Sequence, residues 1–267
     1  MGFGERLVEA GQRHGRLCVG IDPHAALLQQ WGLGDDVAGL RTFTRTCVEA
    51  FAGHVALVKP QVAFFERFGS AGFVVLEEAL AALREAGTLV VADAKRGDIG
   101  STMAGYAQAW LGVGSPLEAD AVTLTPFLGV GSLTPAIELA RENGKGVFVM
   151  AANSNPEAVA FQSQQIDDVS IAQQMVNACA QYNRGPGVGD VGVVVGATVA
   201  QPPVLDTLNA PVLMPGVGAQ GASFADADRV AGTHRHAVFP NVSRGVLSAG
   251  PHVRDLRQRA AEMAQPA

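Results

Sequence analysis

The chain reads as an α/β protein, a single (β/α)8 TIM barrel domain over residues 1–267. Three observations predict it. Eight short, near-continuous apolar runs recur along the chain, and helical periods of apolar residues separate them. Strands covered on both faces read this way, because neither face alternates with solvent. No shift in composition and no Pro/Ser-rich linker divides the chain. A doubly wound open sheet shares the βα alternation. The turn after the first run, "VGIDPHAALL", lacks the GxGxxG that would favour that alternative.

The runs that predict strands are 16–22, 54–59, 88–93, 120–125, 146–151, 191–197, 211–216 and 236–241. Between them, Leu40, Thr44, Cys47, Val48 and Phe51 repeat at helical spacing, as do Phe73, Leu76, Leu80 and Leu83, and then Met103, Tyr106 and Trp110. Less regular patterns predict helices over 131–143, 165–182, 201–208, 223–230 and 251–264. Ser101 stands where a helix N-cap is expected.

Composition narrows the class. Hydrophobic residues make up 48% and charged residues 16%, enough to bury a large core. A formal net charge of −6 argues against general nucleic-acid binding. Cys18, Cys47 and Cys179 form no ligand pattern and read as reduced core thiols, which points to the cytoplasm. Glu5 and Arg6 interrupt what would be the apolar part of a secretory leader, and no run is long enough for a membrane span. His24 reads as solvated, and His234 with His236 lies before the last strand rather than at its chemical end.

Chemistry is expected at the C-terminal strand ends. Asp22 ends the first strand, Lys59 the second, and "VVADAKRGD" brings Asp93 and Lys95 to the end of the third, with Asp98 a turn later, in the loop or first helical turn. Asp93 and Lys95 are two apart and point the same way. The spacing predicts a tight alternating array of Lys59, Asp93, Lys95 and Asp98. A purely stabilising charge network is the simpler reading, but such networks pay for desolvation and do not generally stabilise folds. Flanked by carboxylates, Lys95 stays protonated and is suited to give up a proton rather than form a Schiff base. After the seventh strand, "PGVGAQGA" (215–222) is a Gly-rich loop leading into a short helix, where backbone N–H groups can close on an anion. Arg244 in "NVSRG" after the eighth strand adds a planar fork suited to phosphate.

"DAKRGDIGST" resembles the Asp-x-Lys-x-x-Asp signature of the orotidine 5′-phosphate decarboxylase family, in its longer bacterial subfamily. "LCVGIDP", "VALVKPQVAFFE", "ADAVTLTPFLG", "SNP", "VVGAT", "PGVGAQG" and "NVSRG" extend the likeness in order from 16 to 245. The resemblance implies conversion of orotidine 5′-monophosphate to UMP and CO2 in pyrimidine biosynthesis, with no metal or other cofactor. It implies Lys95 as proton donor to C6 and Asp93 beside the substrate carboxylate. Asp22 and Lys59 correspond to ribose ligands, and Ser154 to the residue at the pyrimidine edge, although a loop serine is its plain reading. Pro215, Gly218, Gln220 and Arg244 correspond to the phosphate end, with Gln220 bridging to the ring. It further implies a homodimer in which Asp98, with Thr102, reaches the partner's site. A metal-dependent sugar-phosphate decarboxylase or aldolase on the same barrel, and a non-enzymatic nucleotide-binding barrel, are the competing readings.

Overall fold

The eight apolar runs become the staves of a closed parallel barrel in a computed structural model that describes residues 1–218 and 221–264. The strands are β1 (Cys18–Ile21), β2 (Leu57–Pro60), β3 (Leu89–Arg96), β4 (Ala121–Leu124), β5 (Gly146–Ala152), β6 (Val191–Val195), β7 (Val212–Pro215) and β8 (Val238–Val242). Each pairs in parallel with the next, and Cys18 opposite Asn241 closes β1 on β8. That closing pair excludes the open doubly wound sheet.

The period-2 alternation of side chains divides every strand between two cores. Outward residues such as Val58, Val90, Val122 and Val193 pack under the surrounding helices. Inward residues Cys18, Leu57, Leu89, Val91, Ala121, Phe148, Val194, Leu213 and Phe239 form a separate cluster inside the barrel. An N-terminal helix, Phe3–His14, which the sequence reading left unassigned, seals this cluster from below. Its Phe3 ring meets Phe148 edge-on, with centroids 5.9 Å apart. Burying a phenylalanine side chain fully contributes roughly 1.5–3 kcal/mol. Gly146 makes room for it, since a Cβ there would lie 2.2 Å from the Phe3 ring.

Along the inward faces, apolar residues give way to polar ones toward the C-terminal end: Leu57 to Lys59, Val91 to Asp93 and Lys95, Ala121 to Thr123, Phe239 to Asn241. The barrel is therefore dry below and charged above.

The helical periods hold with adjustments. Val37–Phe51 starts on an Asp36 cap, whose Oδ1 accepts from the Gly39 N–H at 2.8 Å. Gly69–Glu85, Gly100–Leu111, Thr134–Glu142, Phe224–Ala231 and Val253–Met263 follow their predicted positions. Two helix expectations and one cap fail. The segment 165–182 opens as a hairpin, Gln165–Ile166 with Val169–Ser170, because Asp167 and Asp168 both adopt positive φ; its helix is confined to Ile171–Ala180. Residues 201–208 form no helix, consistent with Pro202 and Pro203 at their start. Ser101 lies inside its helix, and Ile99 occupies the N-cap. No helix among the described residues is long and apolar enough to cross a membrane.

Candidate active site

Asp93 is the hub of the barrel mouth. It lies inside β3, which runs three residues beyond the predicted strand end, and only 8% of it is exposed. Its two carboxylate oxygens are divided between two lysines. Oδ2 accepts from Lys59 Nζ at 2.9 Å, and Oδ1 accepts from Lys95 Nζ at 2.6 Å. Burial alone would raise the Asp93 carboxyl, but the two ammonium groups outweigh it and hold the pKa far below the usual carboxylate range. Burial would likewise lower Lys59, but Asp93 and Asp22 outweigh it and hold its ammonium above the ordinary lysine value.

Asp22, just beyond β1, places Oδ1 4.0 Å from Lys59 Nζ, and this buried oxygen has no hydrogen-bond partner among the described residues. A buried acceptor left in that state calls for a donor from outside the protein. Lys95 differs from Lys59 in being open: 42% of its side chain is exposed, against 5% for Lys59. Its backbone is left-handed, with φ 48°. For a residue with a Cβ, that conformation costs roughly 1–2 kcal/mol and marks a position where the surroundings dictate the backbone.

These groups line a cavity of about 360 Å³, together with Gln61, Thr123, Asn153, Pro215 and Arg244. Arg244 follows β8 and forms no ion pair among the described residues, so its guanidinium is available to an anion. Gly218 turns the loop after β7 with φ 77°, and Gly221 donates its N–H to the Gly218 carbonyl at 3.0 Å. Gln220 lies outside the described residues. Ser154 is half-buried beside Asn153 and does not itself line the cavity. An adjoining, more apolar cavity of about 380 Å³ shares Lys95, Met150 and Asn153 with the first.

Asp98 departs from the expected array. It lies past the end of β3, as expected, but its Oδ1 accepts from the Ile99 N–H at 2.8 Å. The array within one chain is therefore Lys59–Asp93–Lys95, with Asp98 outside it. Thr102 is exposed on the helix Gly100–Leu111. His24 is half-buried; its Nδ1 accepts from the Leu27 N–H at 3.3 Å, and it lines the cavity.

Gln61 and Thr123 are among the cavity residues that escaped the sequence reading. Gln61 accepts from Lys59 Nζ at 3.1 Å, and its place two residues after Lys59 was the available signal. Thr123 donates its hydroxyl to Asp93 Oδ1 at 2.9 Å; a threonine in a strand carries no signal of its own. Cys18 stays an inert core thiol, pushed up to about 12 by burial. Among the described residues, no group of three or more His, Cys, Asp and Glu is placed to hold a metal ion.

The arrangement can hold an anion at one end and present an ammonium proton beside a full negative charge at the other. Comparison with known proteins bears on which molecule fits it. Residues 15–259 match the model of the orotidine 5′-phosphate decarboxylase / HUMPS family. An orotidine 5′-phosphate decarboxylase of Corynebacterium glutamicum strain R is 58% identical over 270 residues, covering 99% of this chain and 97% of that protein. One from Streptomyces coelicolor is 54% identical over 261 residues, covering 97% and 94%. A crystal structure from Streptomyces avermitilis is similar with a TM-score of 0.95 at 55% identity, over 98% of this chain and 93% of that one. The Leishmania donovani OMP decarboxylase is similar with a TM-score of 0.75 at 31% identity, over 99% and 96%.

Proposed function

Because this chain belongs to the orotidine 5′-phosphate decarboxylase / HUMPS family, we propose that it converts orotidine 5′-monophosphate to UMP and CO2 in pyrimidine biosynthesis. The observation that carries this reading is the Lys59–Asp93–Lys95 chain in a cavity that Arg244 also lines.

The chemistry asks for little else. The bond from C6 to the carboxylate breaks, CO2 leaves, and the electron pair stays on C6, where the ring cannot delocalise it well. The Lys95 ammonium faces that developing charge, stabilises it and transfers its proton to C6; solvent then reprotonates the amine. Asp93 sits beside the substrate carboxylate and keeps Lys59 and Lys95 in order. Asp22, whose buried oxygen is unsatisfied, and Lys59 take the ribose hydroxyls. Pro215, Gly218, Gln220 and Arg244 hold the phosphate end, and Ser154 meets the pyrimidine edge. The phosphate is remote from C6, so its binding energy is available to organise the site. No metal or other cofactor enters this account. In the proposed assembly the enzyme is a cytoplasmic homodimer, and Asp98 with Thr102 completes the partner's site. An Asp98 carboxylate that bonds the Ile99 N–H rather than its own lysine array supports that role.

The test is the ultraviolet absorbance of orotidine 5′-monophosphate mixed with purified protein in excess EDTA. Rapid conversion to UMP is expected. No conversion by folded protein would reject the proposal and favour a metal-dependent sugar-phosphate decarboxylase or aldolase on the same barrel.

A further inference from the structure

The β3–β4 ladder is regular at Val91 opposite Ala121 and Ala92 opposite Val122, then resumes at Arg96 opposite Leu124. Four steps along β3 thus match two along β4, and the surplus residues bulge into the mouth. Lys95 lies in this bulge with its left-handed φ of 48°. A residue there loses the ladder partners that would satisfy its peptide groups.

Two threonine hydroxyls replace those partners. The Lys95 N–H donates to Thr123 Oγ1 at 2.9 Å, and the Lys95 carbonyl accepts from Thr125 Oγ1 at 3.1 Å. Thr123 does more. Its hydroxyl accepts from an N–H, so its own proton is free for an acceptor, and it goes to Asp93 Oδ1 at 2.9 Å. That oxygen is the one Lys95 Nζ touches at 2.6 Å. One buried hydroxyl, 1% exposed as a residue, therefore fixes both the backbone of Lys95 and the carboxylate that receives its ammonium.

We propose that Thr123 and Thr125 are positioning residues: a pair of hydroxyls on β4 that holds Lys95 in its bulged backbone conformation, with its ammonium against Asp93. The inference rests on Lys95 being the proton donor. A valine at position 123 keeps the shape but leaves the Lys95 N–H and Asp93 Oδ1 without that partner, and the bulge can then relax toward a regular strand. A displacement near 1 Å at a reacting group costs about 10²-fold in rate.

The experiment measures kcat, KM and the UMP dissociation constant for Thr123→Val, Thr123→Ser and Thr125→Val. For Thr123→Val, kcat should fall by roughly 30- to 100-fold, while KM and UMP affinity stay within about threefold. Thr123→Ser, which keeps the hydroxyl, should recover to within about threefold of wild type, and Thr125→Val should lose about 3- to 10-fold in kcat. A folded Thr123→Val with near-normal kcat, or a serine variant as impaired as the valine one, overturns the proposal. Should Thr123→Val fail to fold, the half-buried Thr125 decides: an unchanged kcat in Thr125→Val overturns it. Wild-type protein that leaves orotidine 5′-monophosphate untouched rejects the functional reading itself, and this proposal with it.

Discussion

The barrel carries a lysine–carboxylate network at each end, and the two are built differently. At the N-terminal end, Glu118 and Asp120 precede β4 and Lys145 precedes β5. Glu118 pairs with Lys145 at 2.8 Å and Arg84 at 3.0 Å, and accepts from the Gly114 N–H at 2.8 Å. Asp120 pairs with Arg6 at 3.3 Å and accepts from the Val90 N–H at 3.0 Å. These carboxylates are spent on the protein itself, tying strand starts to helices. At the mouth, Asp93 is equally well supplied, but its neighbours are not: among the described residues Asp22 Oδ1 has no hydrogen-bond partner and Arg244 forms no ion pair, and 42% of the Lys95 side chain is exposed on a left-handed backbone. Burial and charge pairing alone do not separate a structural network from a reactive one. The residues left incomplete do.

Substitutions sharpen or break this contrast. Asp93→Asn has the broadest expected effect, because it reaches both stability and turnover. It leaves Lys59 buried without its carboxylate, at a cost of about 3–5 kcal/mol in stability, and it should also lower kcat/KM by at least about 10²-fold. Urea unfolding and the decarboxylation assay on one preparation read both. In acid, the wild-type contribution follows from the depressed pKa of Asp93. It is fully present above the ordinary aspartate value of about 4 and is lost as pH falls from there toward Asp93's own lower value.

Lys145→Met should cost about 3 kcal/mol in stability by removing one partner of Glu118, while kcat/KM per folded molecule stays near wild type. A large fall in turnover would break the contrast. The smallest effect is its pH dependence. Burial pulls the Lys145 ammonium below the ordinary lysine value, so wild type gains stability as pH rises from Lys145's own pKa toward about 10.4. The deficit of Lys145→Met should therefore widen over that range. Lys59 is raised instead, so its contribution is present below about 10.4 and lost as pH climbs through its higher folded value. Urea midpoints between mildly and strongly alkaline pH for Lys145→Met and Lys59→Met would separate the opposite signs.

Most of the frame was legible in the sequence, because both-face burial leaves unbroken apolar runs, and charges stand out where such a run stops. Lys59, Asp93 and Lys95 were found in that way. Asp98 was grouped with them from its spacing, although it lies past the end of β3 and its Oδ1 accepts from the neighbouring Ile99 N–H. Thr123 and Thr125 escaped notice because a hydroxyl acquires meaning only when a neighbouring ladder fails, and only the β3–β4 pairing reveals that. The helix Phe3–His14 has an apolar face in Phe3, Leu7 and Ala10 but was weighed only as a secretory leader. The hairpin at 165–170 turns on Asp167 and Asp168, whose left-handed backbone the helical pattern concealed.

The most direct test of the central claim is Lys95→Ala, assayed with orotidine 5′-monophosphate alongside its urea midpoint. A proton donor contributes about 10²–10⁴-fold and a charge facing the reacting carbon about 10²–10³-fold more. The account predicts a loss of at least about 10⁴-fold in kcat/KM, with stability within about 1 kcal/mol of wild type because 42% of the side chain is exposed and Asp93 keeps Lys59 and Thr123 as partners. A folded Lys95→Ala protein that still decarboxylates at a near-normal rate would contradict it, and the mouth would then be one more structural network.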